Sequence, residues 1–448
     1  NKGTEDNRVR KLDYSIQLSK LFYERFLNNQ DITLFSPHEV PGLYEAFGTE
    51  KFDELYEQYE RAYSVPKTKV SAQSLFMEIL KERAETGRIY LMNIDHCNSH
   101  SSFFEDEAKI SMSNLCQEIT LPTKPLQSFD DPEGEIALCI LSAINVGQLT
   151  SDLKDLPELC DLAVRSLDEV IDYQEYPVEA ARLSTINRRS LGIGYIGLAH
   201  FLAKNKFKYD DPEAHKLVHR LSEHFQYNLI RTSVDLAKEK GSCGYVSQTK
   251  YHGGLLPIDH YKSDVDEIVK PVYECDWESL REEVIKYGVR NSTLSAQMPS
   301  ESSSVVSNET NGIEPPRDYL SIKKSKKGPL KQIVPGYPHL KNNYTLLWDQ
   351  KNNDGYIKIV AVMQKFFDQA ISGNWSYNPE NYENNEVPLS VMAKDMLNKY
   401  GWKTSYYQNT YDSKTDEDIE LDTTAVDIVM NDNYEDFEDG EDCEACNI

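Results

Sequence analysis

Apolar residues along the chain follow two spacings, one typical of helices and one typical of strands. Helical spacing recurs over residues 12–26, 75–80, 156–171 and 356–367, and Gly87 follows the second of these stretches as a C-terminal stop. Short apolar runs predict strands at residues 88–95, 116–121, 136–143, 292–298 and 404–408. Strands separated by helical stretches favour an α/β domain with much parallel pairing.

The charge of the chain is strongly negative and unevenly distributed. Its 448 residues include 48 Lys and Arg against 74 Asp and Glu, a formal net charge of −26. Such an excess of carboxylates argues against nucleic acid or a membrane surface as a partner, and no apolar stretch is long enough to span a bilayer. Residues 411–448 hold fifteen acids and one base, a net charge of −14. We therefore predict a globular domain over residues 1–410 and a flexible acidic tail over residues 411–448.

The cysteines indicate a reducing environment. Eight cysteines are too few for a disulfide scaffold in a chain of this length, which favours the cytoplasm. Two of them, Cys443 and Cys446, form a C-x-x-C sequence that predicts either a redox dithiol or a metal clip, and the presence of only two ligands favours redox chemistry. The first residue is Asn1 and no apolar signal segment follows it, so we expect a processed chain or a fragment.

Gly192, Gly194 and Gly197 spell the G-x-G-x-x-G pattern of dinucleotide-binding loops. In such proteins a buried strand leads into the loop, whereas the residues before Gly192 are strongly polar. The favoured interpretation is that these glycines let helices pack closely. The less favoured interpretation is the nucleotide-binding loop of a nicotinamide dehydrogenase.

Histidines and one cysteine form two groups of potential metal ligands. His96, Cys97 and His100 lack a fourth ligand at matching spacing, which favours polar contacts in a turn. His215 and His219 stand four apart on a predicted helix, but no Glu follows the first His as it does in zinc hydrolases. We expect these two histidines on a solvated helix face and predict no metal site in the chain.

The segment at residues 114–118 carries three chemically useful side chains. In an extended stretch alternate side chains share a face, so Asn114, Cys116 and Glu118 would point together. They offer an amide that can orient hydroxyls, a thiol, and a carboxylate that can accept a proton. A strand with a buried structural cysteine explains the same spacing equally well.

A run of hydroxyl-bearing residues follows the predicted strand at 292–298. Pro299, Ser300, Glu301, Ser302 and Ser303 precede a short helical stretch. Hydroxyls and free N–H groups at a helix start can bind an anion, which favours a phosphate site. N-capping by Ser300 is the alternative, although capping needs a single hydroxyl.

Tyr406 and Tyr407 are adjacent near the end of the predicted domain. The chain contains 28 Tyr, so adjacent pairs arise by chance. Packing in the core is the default interpretation of this pair.

Several long motifs occur together in one chain. They are NKGTEDNRVR at residues 1–10, SNLCQEI at 113–119, GEIALC at 134–139, RNSTLSAQMPSESS at 290–303, NGIEPPR at 311–317, YYQNT at 406–410 and the terminal cysteine pair. In these motifs and their order the chain resembles the large, catalytic subunit of aerobic class I ribonucleotide reductase. The resemblance implies the C-terminal part of a ten-stranded α/β barrel around a loop that carries a radical cysteine.

The resemblance also implies roles for residues at a nucleotide site. Cys116 corresponds to the cysteine that becomes a thiyl radical and removes the 3′ hydrogen of the ribose. Glu118 corresponds to the base for the 3′ hydroxyl, and Asn114 to the amide that holds the ribose hydroxyls. Cys139 resembles one of two thiols that reduce the 2′ carbon. Residues 299–303 match the loop that binds the diphosphate of a ribonucleoside diphosphate.

Other residues are implied to move electrons. Tyr406 and Tyr407 match a stacked pair that carries the radical from a metal-containing small subunit, so we expect no cofactor bound in this chain. Cys443 and Cys446 match tail thiols that re-reduce the active-site disulfide and are recharged by thioredoxin or glutaredoxin. The implied function is the synthesis of deoxyribonucleotides for DNA replication.

Three parts of the family pattern are absent from this sequence: the N-terminal ATP-binding regulatory module, the allosteric specificity site and the strand with the second reducing cysteine. We therefore expect the C-terminal portion of a split or truncated subunit that is inactive alone. It would work with an N-terminal portion, form a dimer once completed, and bind the small subunit. The alternative is a non-catalytic remnant that binds the small subunit or a thioredoxin-like protein. The presence of the radical cysteine, its two neighbours and both tyrosines disfavours that alternative.

Overall fold

The structure is a computed structural model that describes residues 12–128, 131–325, 328–397 and 400–412. Its strands are β1 (Tyr14–Leu18), β2 (Asp31–Phe35), β3 (Lys67–Ser71), β4 (Ile89–Asn93), β5 (Leu141–Asn145), β6 (Gly192–Ile196), β7 (Leu320–Ser325), β8 (Gly328–Ile333), β9 (Trp375–Tyr377), β10 (Thr404–Ser405) and β11 (Gln408–Thr410). Its α-helices are α1 (Lys20–Leu27), α2 (Leu43–Ala46), α3 (Lys51–Arg61), α4 (Ala72–Thr86), α5 (Ile94–Ser99), α6 (Leu156–Tyr173), α7 (Glu179–Arg188), α8 (Leu198–Lys204), α9 (Pro212–Lys240), α10 (Pro257–His260), α11 (Trp277–Tyr287), α12 (Glu301–Val306), α13 (Tyr337–Leu340), α14 (Asp354–Gln364) and α15 (Leu389–Met396).

The strand β4 lies at the centre of a three-stranded sheet. It pairs in parallel with β1 and antiparallel with β10. All five residues of β4 are buried, which explains why its sequence is a nearly continuous apolar run. This strand confirms the prediction at residues 88–95. Because β10 lies beside it, the sheet brings Tyr406 and Tyr407 next to Tyr90 of β4.

A second group of strands forms around β6. This strand pairs in parallel with β5 and, through Ile193, with Ser295 of an extended buried segment. A Cβ on Gly194 would lie 2.7 Å from the Ala296 carbonyl oxygen, so glycine is needed for this close approach. The helix α7, not a strand, precedes Gly192. The glycine pattern therefore serves packing within the strands, and our expectation of helix packing was wrong.

The longest helix, α9, packs against α6, α11 and α14. Phe225 on α9 and Phe367 just after α14 stack with ring centroids 5.5 Å apart, and Tyr195 of β6 packs edge-on against both rings. His215 and His219 are buried on α9, so the prediction of a solvated face was wrong. Other elements cover α9 on several sides, which a helical repeat alone does not reveal. Among the described helices none combines the length and the apolar character that crossing a membrane requires.

Several element boundaries differ from the sequence prediction. Residues 12–26 form β1 and most of α1. Ser19 lies between these two elements, and its Oγ accepts a hydrogen bond from Phe22 N and caps the helix. The segment 292–298 is extended but makes only single bridges, at Ser295 and Gln297. By contrast, α4 ends before Gly87 as predicted, and that glycine has a φ of 71°.

A buried carboxylate anchors this extended segment to the end of α14. Asp368 is 3% exposed and accepts hydrogen bonds from five groups. They are Gln226 Nε2, Tyr251 Oη (3.0 Å), Thr293 Oγ1 (3.2 Å), Leu294 N (2.7 Å) and Ser295 Oγ (3.0 Å). Removal of the carboxylate would leave these donors unpaired in the interior.

We expect Asp368→Ala to lower the free energy of unfolding by about 3 kcal/mol or more, because several buried donors lose their acceptor. Chemical denaturation measures the change. The matched control is Asp106→Ala, since Asp106 is an exposed residue that pairs only with exposed Lys51, and its loss should cost less than about 1 kcal/mol. Equally small effects in both variants would contradict the anchoring role.

Candidate active site

Residues 114–119 form a tight turn, not the strand that the sequence predicts. Gln117 N donates to the Asn114 carbonyl oxygen, and Asn114 N donates to the Ile119 carbonyl oxygen, both at 3.2 Å. Gln117 has a φ of 71°, an uncommon conformation for a residue other than glycine. The side chains of Asn114 and Glu118 therefore meet because the chain reverses, and Cys116 lies within the turn.

Asn114 contacts two other residues that the sequence predicts for this site. Its Nδ2 donates to Glu118 Oε1 at 2.9 Å and lies 3.9 Å from Cys139 Sγ. Its Oδ1 accepts a hydrogen bond from Ile119 N at 3.1 Å, which fixes the orientation of the amide. Cys139 comes just before β5, so the turn and the start of that strand share one site.

The carboxyl group of Glu118 is buried and contacts a serine that the sequence analysis missed. Ser372 Oγ lies 3.0 Å from Glu118 Oε2 and also contacts the Cys116 carbonyl oxygen. A hydroxyl has one proton to donate, so both contacts are satisfied together when Glu118 carries a proton. Burial raises the pKa of Glu118 above its ordinary value, against hydrogen bonds from Asn114 and Ser372 that lower it.

Both thiols of the site are held in the protonated form. Burial raises the pKa of Cys116 and of Cys139 above the ordinary value of 9.0 for a thiol. The Tyr406 hydroxyl lies 3.5 Å from Cys116 Sγ. At neutral pH the two side chains therefore face each other as a phenol and a thiol, the forms that can exchange a hydrogen atom.

Three tyrosines pack together beside Cys116. The ring centroids of Tyr406 and Tyr407 are 4.2 Å apart, and Tyr90 of β4 lies 4.7 Å from the first ring and 5.3 Å from the second. Burial raises the pKa of Tyr406 and of Tyr90, so both phenols stay protonated. The sequence analysis missed Tyr90, because one tyrosine among 28 on a buried strand gives no local signal.

A segment between α14 and β9, residues 368–375, holds the backbone of the tyrosine pair. Tyr406 N donates to the Gly373 carbonyl oxygen at 2.9 Å, and Tyr407 N donates to Asn374 Oδ1 at 3.0 Å. The Tyr407 carbonyl oxygen accepts from Trp375 N at 2.9 Å. The same segment includes Ser372, so it positions both the tyrosines and the turn.

The predicted phosphate-binding residues 299–303 span the start of α12. Ser300 is the residue before the helix, but its Oγ donates to the Met298 carbonyl oxygen at 3.1 Å and does not cap the helix. The alternative of ordinary N-capping by this hydroxyl is therefore wrong.

The same segment starts beside the candidate site. Gln297 pairs with Ile371, directly before Ser372. Pro299 and residues 301–303 are exposed, which leaves their backbone and side chains open to a ligand.

A cavity of about 250 Å³ opens beside α12. Ser304 of that helix lines it together with Glu314 and Arg317 of the NGIEPPR motif. Burial raises the pKa of Glu314 to about 7. Its carboxyl group contacts Asn374 Nδ2, and Asn374 in turn accepts from Tyr407 N. The wall of the cavity is thus connected to the tyrosine pair by side-chain contacts.

Comparison with known proteins agrees with this arrangement. The family described as ribonucleotide reductase, barrel domain, matches residues 1–408. The chain is 54% identical to the ribonucleoside-diphosphate reductase subunit alpha of Haemophilus influenzae over 94% of this chain and 56% of that protein. It is 50% identical to ribonucleoside-diphosphate reductase 1 subunit alpha of Escherichia coli K12, over 94% of this chain and 56% of that protein.

The chain belongs to the ribonucleotide reductase family. The subunit alpha of Enterobacteria phage T4 is 43% identical over 100% of this chain and 58% of its own length. The chain thus spans a little over half the length of these curated relatives and corresponds to a C-terminal portion of them. The barrel domain of ribonucleotide reductase is the α/β fold that the sequence predicts.

The potential metal ligands lie elsewhere in this chain. His96 and Cys97 belong to the short helix α5, so the predicted turn was wrong, and His96 Nδ1 lies 3.1 Å from the Trp402 carbonyl oxygen. Within residues 12–128, 131–325, 328–397 and 400–412, no group of His, Cys, Asp and Glu could hold a metal ion. Cys443 and Cys446, the acidic tail after residue 412 and the motif at residues 1–10 lie outside the described residues.

We expect Glu314→Gln to change how the stability of the chain depends on pH. The pKa of Glu314 is about 7 in the fold against 4.5 ordinarily, so the folded state binds more protons and wild-type stability falls as pH rises between these values. The variant should melt like wild type near pH 4.5 and be more stable above pH 7, by about 3 kcal/mol. Thermal unfolding across this range measures the difference, and a constant difference at all pH values would contradict the prediction.

Proposed function

We propose that this chain carries the radical chemistry of a ribonucleoside-diphosphate reductase. The observation that carries the proposal is the 3.5 Å contact between Tyr406 Oη and Cys116 Sγ, next to the hydrogen-bonded pair of Asn114 and Glu118. A phenol, a thiol, a carboxyl group and a second thiol, Cys139, occupy one site, which is the donor set that the reaction needs.

The first steps move one hydrogen atom at a time. The phenoxyl radical of Tyr406 takes a hydrogen atom from Cys116, which restores the phenol and leaves a thiyl radical. That radical takes the 3′ hydrogen of the ribose and becomes a thiol again. After the 2′ carbon is reduced, Cys116 returns this hydrogen atom to the 3′ carbon, and the thiyl radical then takes a hydrogen atom from Tyr406, which restores the phenoxyl radical. Glu118, once deprotonated, accepts the 3′ hydroxyl proton, and Asn114 holds the ribose hydroxyls.

The reduction itself needs two thiols. They supply two electrons and two protons, the 2′ hydroxyl leaves as water, and the thiols become a disulfide. Cys139 is one of them, since its Sγ lies beside Asn114. The described cysteines form no disulfide with it. We propose that an N-terminal portion of an alpha subunit supplies the second thiol.

The radical and the electrons come from other proteins in this proposal. A metal-containing small subunit supplies the oxidising radical to Tyr407, and thioredoxin or glutaredoxin recharges the thiols. Residues 299–303 bind the diphosphate of the substrate through exposed hydroxyl and N–H groups. All six described cysteines are unpaired, which supports action in the reducing cytoplasm.

We expect Tyr406→Phe and Cys116→Ser each to lower turnover at least about a thousandfold, because neither variant can pass a hydrogen atom at its position. Turnover is measured in a reductase assembled from this chain, an N-terminal alpha portion and a small subunit. Nucleotide binding should persist in both variants.

The matched control is Tyr209→Phe. Tyr209 is as buried as Tyr406, and its hydroxyl donates to the Ile313 carbonyl oxygen at 2.7 Å, far from the tyrosine pair in sequence. This variant should lose about 1 kcal/mol of stability but keep its activity. Substantial activity of Tyr406→Phe would show that the tyrosine only fills the core.

We expect the double variant Cys443→Ser, Cys446→Ser to lose repeated turnover driven by thioredoxin in the same reconstituted enzyme. A single turnover from pre-reduced protein should survive, since Cys139 is untouched. Slow cycling with a small dithiol that enters the site should also survive. Normal thioredoxin-driven cycling would rule out this cysteine pair as the electron shuttle.

A further inference from the structure

A buried arginine lies behind the tyrosines. Arg83 of α4 is 0% exposed, and its Nη1 donates to the Ile89 carbonyl oxygen. Its Nη2 donates to the Tyr407 carbonyl oxygen at 3.2 Å. The first acceptor belongs to the peptide group that also contains the Tyr90 nitrogen. One guanidinium group therefore ties together the two chain segments that present Tyr90 and Tyr407.

The positive charge of Arg83 is not compensated by a carboxylate. Among the residues that the structure describes, no Asp or Glu forms an ion pair with it, and its Nε is buried without a hydrogen-bond partner. Burial lowers the pKa of Arg83 to about 10, so the group stays charged at neutral pH. An unpaired buried charge is costly for a fold, and an apolar side chain would fill the same space without that cost.

A purely structural role does not account for this charge. The end of α4 is already attached to β11, because Gln408 N donates to the Gly87 carbonyl oxygen at 3.1 Å. The guanidinium group of Arg83 binds the Tyr407 carbonyl oxygen, and the phenols of Tyr377 and Tyr90 are its electrostatic neighbours. The position of the charge therefore points to the electrostatics of the tyrosines.

We propose that Arg83 is a positioning residue of the radical relay, which aligns Tyr90 with Tyr407 and keeps electron transfer between the tyrosines coupled to proton transfer. This inference rests on the proposed function. In the balanced step, the Tyr407 phenoxyl radical and the Tyr406 phenol become a Tyr407 phenol and a Tyr406 phenoxyl radical. One electron and one proton move together, and the local charge does not change.

The alternative order of events creates a second positive charge. If the electron left Tyr406 before its proton, the phenol would carry a positive charge, in a ring that packs 4.2 Å from that of Tyr407, the residue whose carbonyl oxygen Arg83 binds. In a water-poor interior two like charges repel strongly, so the fixed cation disfavours this intermediate. The concerted step is unaffected, because it moves no net charge.

Two substitutions separate the charge of Arg83 from its hydrogen bonds. Arg83→Gln removes the charge but keeps an amide donor, whereas Arg83→Lys keeps the charge and loses the planar fork of donors. Arg188→Gln is the matched control, since Arg188 is 2% exposed and pairs with Glu135 at 2.7 Å, and no contact joins it to Tyr90, Tyr406 or Tyr407 among the described residues. The assay is the rate of deoxynucleotide formation in a single turnover of the reconstituted reductase, in water and in D₂O.

We expect Arg83→Gln to slow the single turnover about tenfold, with the substrate KM unchanged within about twofold, and to bring the solvent isotope effect close to one. Arg83→Lys and Arg188→Gln should keep the isotope effect of the wild type. A wild-type isotope effect in folded Arg83→Gln would overturn the inference. If Arg83→Gln does not fold, Arg83→Lys decides alone, because loss of its isotope effect would also overturn the inference.

Failure of the proposed function gives a different result. Cys116→Ser is measured in the same preparation, and it should abolish product formation whatever residue stands at position 83. An active Cys116→Ser enzyme would contradict the proposed function itself. An inactive Cys116→Ser enzyme together with a wild-type isotope effect in Arg83→Gln would contradict only the role of Arg83.

Discussion

Buried backbone groups must find hydrogen-bond partners, and in residues 368–375 this requirement organises the candidate site. The segment lies mostly in the interior between α14 and β9 and has little regular structure of its own, so its partners are distant parts of the chain. Gln369 contacts both the Thr120 nitrogen and the Leu191 carbonyl oxygen. Ala370 N donates to the Glu118 carbonyl oxygen at 2.9 Å. The next residues hold the backbone of the tyrosines, so one segment sets the position of thiol, carboxyl group and phenols together.

The thiols and phenols of the site that this segment organises are uncharged. Burial raises the pKa values of both thiols and of two of the phenols, so they stay protonated at neutral pH, and burial raises the pKa of the Glu118 carboxyl group as well. Neutral groups in contact are suited to the exchange of hydrogen atoms, whereas ions would be suited to nucleophilic chemistry. Arg83 is a cation in these surroundings, which is why its position next to the tyrosines stands out.

The sequence predicts what depends on neighbours along the chain. The helix α4 with its glycine stop, the strand β4 and the long helix α6 follow from apolar spacing and capping alone. The motif resemblance also places Asn114, Cys116 and Glu118 in one site. The prediction that they meet on one face of an extended stretch was wrong, because the left-handed backbone conformation of Gln117 leaves no signal in the sequence.

What the sequence misses depends on tertiary packing. Ser372 and Tyr90 are ordinary residues on buried segments, and their importance follows only from what lies opposite them. His219 was assigned to a solvated face because a helical repeat does not reveal how many sides of a helix are covered. The Asn374 contact with Tyr407 joins residues 33 positions apart, beyond the reach of any local pattern.

The great sequence separations within the site have a consequence for synthesis of the protein. Tyr406 contacts Cys116 across 290 positions, Ser372 contacts it across 256, and Arg83 reaches Tyr407 across 324. Contacts between residues so far apart in the sequence form late in folding. On the ribosome Cys116 emerges long before any of these partners exists, at about 5–20 residues per second. For this interval its thiol lacks the burial that later raises its pKa, so the nascent chain passes through a stage at which it is most open to oxidation.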